Sequence, residues 1–265
     1  MKYIKRIVGS WTNLQVQILR QYGIDIKEGF AVKVIDEDVL NRNQELLVLL
    51  RKWDVLDKER YVVFDKKEIM SSVYCTLCGT ARAIGYPMPS NDFGYMNLTY
   101  SLSDYCQCCG VGHTQKDDFR LAKIPKASFF SLGWVFDELF ADKTTYENVF
   151  KPFGVACRSV RLYKNDKVID SVVQLVIPTI EEKTKMGDLE YTVCPKCGRV
   201  KYHPGLVTFP SLHANPIGHM YKTFEWFGSG AEAHKKIYIS AQLRDRMMEN
   251  KIAKYWNFLP TRSDV

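Results

Sequence analysis

The sequence predicts an α+β fold, a mixed strand–helix domain with inserted zinc-ribbon or zinc-knuckle elements, and three observations predict it. Six of the eight cysteines fall into three copies of one unit: Cys75-Thr-Leu-Cys78-Gly79, Cys106-Gln-Cys-Cys109-Gly110 and Cys194-Pro-Lys-Cys197-Gly198. Strand-like and helix-like segments mix along the chain, and no βαβ pattern emerges. The 265 residues are 46% hydrophobic and 25% charged, a composition that excludes wholesale disorder or a fibrous repeat and supports a sizeable core. The length allows one large or two small domains. The chain divides by this reading into an N-terminal α/β segment (1–70), a zinc-ribbon-like segment (71–125) and a C-terminal α+β domain (126–265) that carries the third CxxCG.

The elements follow in order. Asn13 to Gln21 reads as a short amphipathic helix, Phe30 to Ile35 as a strand, and Glu37 to Lys52 as a helix with Leu40, Leu46, Leu47 and Leu50 near helical spacing. Arg60 to Phe64, Tyr95 to Leu102 and Asp118 to Ile124 read as strands. The aromatic run Phe129, Phe130, Trp134, Phe136 and Phe140 is assigned to the core. Thr144 with Glu147 suggests a capping box opening a helix to about Lys151, followed by Gly154 and a strand from Val155 to Tyr163. Lys164-Asn165-Asp166 then turns a hairpin into Val168 to Ile177. A second unit of the same plan runs through Ile237-Tyr238-Ile239, Ser240 as N-cap, a helix through Met248 with Leu243, Met247 and Met248 on its face, and a strand at Tyr255 to Leu259.

No apolar run approaches the ~18–20 residues of a membrane helix. The N-terminus opens basic with Lys2, Lys5 and Arg6, but Gly9 to Asn13 is polar where a signal peptide would be apolar, so a cytoplasmic protein is expected. In that reducing setting a C-x-x-C pair suits Zn²⁺ better than a disulfide. Two thiolates on one tight turn have the bite of a tetrahedral metal, and the following glycine relieves a positive φ. Cys109, which precedes Gly110, is taken as the ligand and Cys108 as an unligated neighbour. The candidate ligands are therefore Cys75, Cys78, Cys106, Cys109, Cys194 and Cys197, holding one or two structural zinc ions. Two pairings are open. Cys75, Cys78, Cys106 and Cys109 could share one metal across a ribbon hairpin, leaving Cys194 and Cys197 to seek partners among His203, His213 and His219. Alternatively Cys75 and Cys78 join Cys194 and Cys197. Cys75→Ser or Cys194→Ser is expected to unfold the chain locally.

CPKCGR at 194–199, Pro204-Gly-Leu-Val-Thr at 204–208 and IYISAQLRDRMMENKIAKYWNFLP at 237–260 resemble the double-CXXCG family of bacterial polymorphic-toxin immunity proteins. Residues 139–163 are similar to that family's internal helix and strand. The resemblance spans roughly Tyr74 to Pro260, with its two motifs carried over onto Cys75, Cys78 and Gly79 and onto Cys194, Cys197 and Gly198. It implies a binding protein without catalysis that blocks a cognate toxin. The pair at Cys106 and Cys109, the long segment before Cys75, and Ala241 in place of an acidic residue depart from the pattern.

No G-x-S-x-G, Walker loop or H-E-x-x-H occurs, and thiolate-only metal sets are closed to substrate. Cys157 is read as a buried inert thiol in a strand and His234 as solvated surface. The rival class is a zinc-ribbon module bound to nucleic acid or the ribosome, since the net charge is +7. The ribbon loop from Thr80 to Tyr105 carries only Arg82 against Asp92 and Asp104, which weighs against it. Basic residues concentrate later, at Lys235, Lys236, Arg244, Arg246, Lys251 and Lys254, the last four on or near a polar helix face. A positive immunity protein calls for an acidic partner or aromatic anchors. Tyr221, Phe224, Trp226 and Phe227 are the candidate partner-binding segment.

Overall fold

In the computed structural model, residues 2–57, 61–79, 83–187, 189–203 and 218–261 are described. They are a mixture of α and β elements in two units, divided between residues 65 and 66.

The first unit contains β1 (Lys2–Trp11), α1 (Asn13–Gln21), β2 (Gly29–Asp36), α2 (Glu37–Arg42), α3 (Gln44–Lys52) and β3 (Tyr61–Val63). The strands order as β2-β1-β3, all antiparallel. β1 was not legible in the sequence because Lys2, Lys5 and Arg6 mask its alternation; Ile7 and Trp11 are nevertheless buried. α1 occupies the predicted span, opened by a capping box in which Thr12 and Gln15 satisfy each other's backbone amides. Glu37 to Lys52 is two helices rather than one. The Asn43 amide donates to the Val39 carbonyl at 2.8 Å, a side-chain bond that competes with the helical ladder and breaks it there. Leu40, Leu46 and Leu50 still reach the core with Val16 and Leu19.

The second unit opens with α4 (Lys66–Ser71) and β4 (Tyr74–Leu77), and continues through α5 (Gly94–Thr99), β5 (Tyr100–Ser101), β6 (Thr114–Gln115) and β7 (Phe119–Leu121). The predicted strand at Tyr95 to Leu102 is mostly α5: Tyr95 and Thr99, four apart, are both buried, so the same apolar positions serve a helical face. β8 (Phe129–Leu132), β9 (Val135–Asp142), α6 (Lys143–Thr145, prolonged by irregular turns to Phe153), β10 (Ala156–Leu162) and β11 (Val168–Val176) follow. The cap of α6 is Asp142, whose carboxylate accepts from the Thr145 amide at 2.6 Å, two residues before the predicted Thr144. These strands form one sheet in the order β7-β10-β11-β9-β8, with β10 and β11 joined by the predicted hairpin and only the β7–β10 pair parallel. Phe129, Phe130 and Phe140 are buried, as expected, whereas Trp134 and Phe136 are 53% and 52% exposed. Cys157 is exposed rather than buried, because β7 flanks β10 only at Val160 to Leu162 and leaves its first half on the sheet edge.

The chain ends with β12 (Tyr191–Val193), β13 (Val200–Tyr202), β14 (Met220–Lys222), β15 (Ile237–Ser240), α7 (Ala241–Glu249) and β16 (Phe258–Pro260). A second sheet orders as β14-β15-β4-β16. Ser240 caps α7 as predicted, accepting from the Leu243 amide. The expected final strand at Tyr255 starts three residues late, after a short 3₁₀ turn. Arg244 is not on a polar face. It is 1% exposed and donates to the carbonyls of Ile69, Met70 and Ser72 at 2.6–2.9 Å, so that it satisfies the C-terminal end of α4 from below. A further buried group joins Lys222 to Glu138 at 2.6 Å and to Asp137 at 3.9 Å. No helix among the described residues is long and apolar enough to cross a membrane.

Candidate metal centre

Two hairpins carry the cysteines that converge. β5 and β6 are paired antiparallel around Cys106 to Cys109, and β12 and β13 around Cys194 to Cys197. The two turns repeat one hydrogen-bond pattern. The Gly110 amide donates to the Cys106 carbonyl at 2.7 Å and the Cys106 amide to the Val111 carbonyl at 2.9 Å. In the other turn, Gly198 donates to Cys194 and Cys194 to Arg199, both at 2.9 Å. Gly110 and Gly198 hold φ of 79° and 72°, the left-handed conformation anticipated from the CxxCG spacing.

The four sulfurs of Cys106, Cys109, Cys194 and Cys197 lie within 4.8 Å of one another and could hold a metal ion. Cys106 Sγ is 3.8 Å from Cys194 Sγ, and Cys109 Sγ is 3.7 Å from Cys197 Sγ. A tetrahedron with metal–sulfur bonds of about 2.3 Å has edges of about 3.8 Å, so these separations fit a single four-coordinate ion. Four sulfurs close the coordination shell and leave no position for water or substrate.

The surroundings favour the thiolate at Cys106 and Cys194 and oppose it at Cys109. The backbone amides of Cys197 and Lys196 draw the Cys194 thiol down to about 6 against the opposing effect of burial. The amides of Cys109 and Cys108 likewise lower Cys106, whereas burial pushes Cys109 up to about 12. Val111, Trp226 and Ala233 pack over Cys106, Cys109 and Cys194. Two cations that sequence reasoning missed lock the turns. Arg199 donates to the Asp104 carbonyl at 2.6 Å and pairs with its carboxylate, joining the second turn to the first hairpin. Lys201, 3% exposed, donates to the carbonyls of Cys109, Gly230 and Glu232 at 2.6–2.8 Å. Arg199 is adjacent to the third motif and could have been suspected; Lys201 left no sequence signal, because its partners are backbone atoms distant in the chain.

Gly110 has a second constraint, since a Cβ there would lie 2.2 Å from the Ala231 carbonyl oxygen, whereas Gly198 has open space around it. Gly198→Ala is therefore expected to cost about 1 kcal/mol for its left-handed backbone, and Gly110→Ala at least about 2 kcal/mol because a carbonyl must also move. Denaturant midpoints of the two variants, with metal content measured alongside, check the difference.

The observed combination is neither pairing that the sequence left open. The middle unit joins the third, and Cys75 and Cys78 are outside the group. Cys75 is a core residue of β4, with its Sγ 3.5 Å from the Arg244 guanidinium and 3.7 Å from the Ile69 carbonyl oxygen. Cys78 is exposed at the end of that strand, and Cys108 is exposed and outside the group, as anticipated. His219 is engaged with the Ser240 hydroxyl at 2.9 Å and stacks edge-on to Phe153, and His203 is not among the converging ligands. His213 and residues 204–208 are outside the described residues. His234, expected as solvated surface, is largely enclosed and paired with Glu232.

The partner-binding segment divides. Tyr221 and Phe227 are 1% and 2% exposed and belong to the core, with Tyr221 stacked on Tyr238. Phe224 is 45% exposed, and Trp226 lies between His113 and the Lys235 ammonium, each 5.0 Å from its ring. The chain matches no family model, and no curated protein or solved structure is significantly similar to it.

Proposed function

We propose that the chain is a zinc-stapled binding protein of immunity type, without catalysis of its own, which captures and blocks a cognate toxin in the cytoplasm. The observation that supports the zinc staple is the four-cysteine group, whose geometry suits Zn²⁺ with a complete shell that serves folding rather than substrate, while the toxin-binding role rests on the family resemblance. The two hairpins with cysteine turns at their tips are read together as a zinc ribbon. The double-CXXCG resemblance, with its motifs at Cys75 and Cys78 and at Cys194 and Cys197, supports the binding role, although of these two units only the second belongs to the four-sulfur group. A net charge of +7 directs the search to an acidic toxin surface or to an interface anchored by aromatic side chains.

The nucleic-acid reading is weakened by what the basic residues do. Arg244 is buried beneath α4, while Lys235 and Lys236 lie over the rings of Trp226 and Phe227 at 5.0 and 5.6 Å. Half of the basic cluster expected on the C-terminal helix and the residues before it is thus committed to packing. The test is a tagged pull-down from the native host, with bound proteins read by mass spectrometry and bound nucleic acid by absorbance at 260 nm. Stoichiometric recovery of a secreted-toxin C-terminal domain, together with loss of its toxicity on co-expression, is the expected outcome. Nuclease-sensitive recovery of RNA, DNA or ribosomal proteins without a toxin would overturn the proposal.

A further inference from the structure

We infer that a cavity beside the cysteine group binds a small organic cation, an ammonium or quaternary ammonium head. The cavity holds about 490 Å³, within the range of small-molecule sites. Aromatic rings dominate its wall, among them Phe93, Tyr95, Trp134 and Phe136. Its charged side chains are two carboxylates, Asp137 and Glu232, and neither Lys nor Arg lines it among the described residues. In a chain of net charge +7 that is a local reversal of sign. Of the buried ammonium groups close by, Lys222 is shared between Asp137 and Glu138, and Lys201 is engaged by the carbonyls of Cys109, Gly230 and Glu232. Electron-rich ring faces together with the two lining carboxylates, Asp137 beside Lys222 and Glu232 beside the His234 imidazole, favour a cation over an anion.

A second observation is independent of charge. Trp134 and Phe93 hold φ of 65° and 54°, a left-handed backbone that bulky side chains rarely adopt. Both line the cavity, their rings meet edge to face at 5.7 Å, and both are about half exposed. Rings left so open gain little from burial, so core packing does not account for the strain. Trp134 ends the two-residue turn that joins β8 to β9. The glycine that would suit its conformation sits instead at 133, where a Cβ would come within 2.8 Å of the Tyr86 ring and 2.9 Å of the Gly85 carbonyl oxygen. A strained backbone that presents an aromatic face to a cavity is the pattern of a ligand clamp. The part of the wall at Glu232 is held through Lys201, which donates to the carbonyls of Gly230 and Glu232 along with that of Cys109. The metal group therefore supports the cavity, and the test uses metal-replete full-length chain.

The experiment is an isothermal titration with choline and with its uncharged isostere 3,3-dimethylbutan-1-ol, at constant ionic strength, repeated on Trp134→Gly. Choline is expected to bind saturably at one site, with the isostere about 10-fold weaker or worse, since the ring faces and carboxylates act on charge. Trp134→Gly relieves the left-handed backbone as it removes the ring, so its Tm is expected to stay within about 3 °C of the parent. Its choline affinity is expected to fall about 10-fold. The inference is overturned by no saturable choline binding up to about 20 mM, by equal affinity for the isostere, or by unchanged affinity in Trp134→Gly. The comparison of the two probes on the parent chain stands even if the variant folds poorly, and none of these outcomes depends on whether a toxin is bound elsewhere.

Discussion

Cys194→Ser is expected to lose the metal and to unfold the region that the metal joins. The two hairpins are 88 residues apart in the chain between Cys106 and Cys194, and they meet through sulfur. Beyond the sulfurs, the described contacts between the turns include the Arg199 and Lys201 hydrogen bonds and the small apolar cluster of Val111, Trp226 and Ala233. Structural zinc contributes about 10–16 kcal/mol to folding of finger peptides at neutral pH, and a serine hydroxyl does not ionise to replace a thiolate. Metal content measured on the purified chain should therefore fall from one ion to near zero. The Tm should drop by at least about 10 °C, because the loss exceeds the usual cost of a point substitution. Cys106→Ser should behave in the same way, and a strong chelator should reproduce both. Cys108→Ser and Cys75→Ser should keep the ion, since neither sulfur belongs to the group. If Cys194→Ser retains one ion per chain, or if Cys75→Ser loses it while still folded, the assigned ligand set is wrong.

Arg244→Met is expected to destabilise the second unit by about 3–5 kcal/mol, the range for breaking a buried charged network. The guanidinium of Arg244 serves three carbonyls at the end of α4, the Cys75 sulfur and the Asp245 carboxylate at once. A methionine would fill much of the volume and leave those carbonyls buried without donors. Arg244→Lys should recover less than half of the loss, because one ammonium cannot reproduce the planar fork that reaches the Ile69, Ser72 and Met70 carbonyls together. Denaturant midpoints with constant m-values decide it. Full recovery by lysine would mean that charge alone matters. A loss below about 1 kcal/mol for methionine would mean that water satisfies α4.

Much of the local structure was legible because it depends on neighbouring residues. The Asn13–Gln21 helix and the Ser240 cap appeared where the short-range chemistry placed them. The same was true of the β10–β11 hairpin and of the left-handed glycines at 79, 110 and 198, with φ of 108°, 79° and 72°. Failures came where short-range signals supported two answers. Tyr95 and Thr99 fit a strand face or a helix face, and the helix won because both side chains reach the core from one turn. The capping box read at Thr144 and Glu147 placed a helical turn before β10, yet the cap is Asp142.

From the amino-acid order alone it follows that this is a mixed α and β chain and that cysteines in CxxCG units could hold a metal, as four of them could in the fold. At Cys106 and Cys194 the CxxCG unit is a tight turn that sets two sulfurs at a metal's bite, whereas at Cys75 it lies along the extended strand β4 and does not. Which turns come close enough to share an ion is a matter of the three-dimensional fold. The units at 75, 106 and 194 are alike in sequence, but β4 lies inside a sheet, where Cys75 is on extended backbone and buried against Arg244. The other two units sit at hairpin tips that Arg199 and Lys201 draw together. Pairing depends on where separate hairpins end in space, and that is governed by contacts 88 to 95 residues apart in the chain, for which a local motif carries no information.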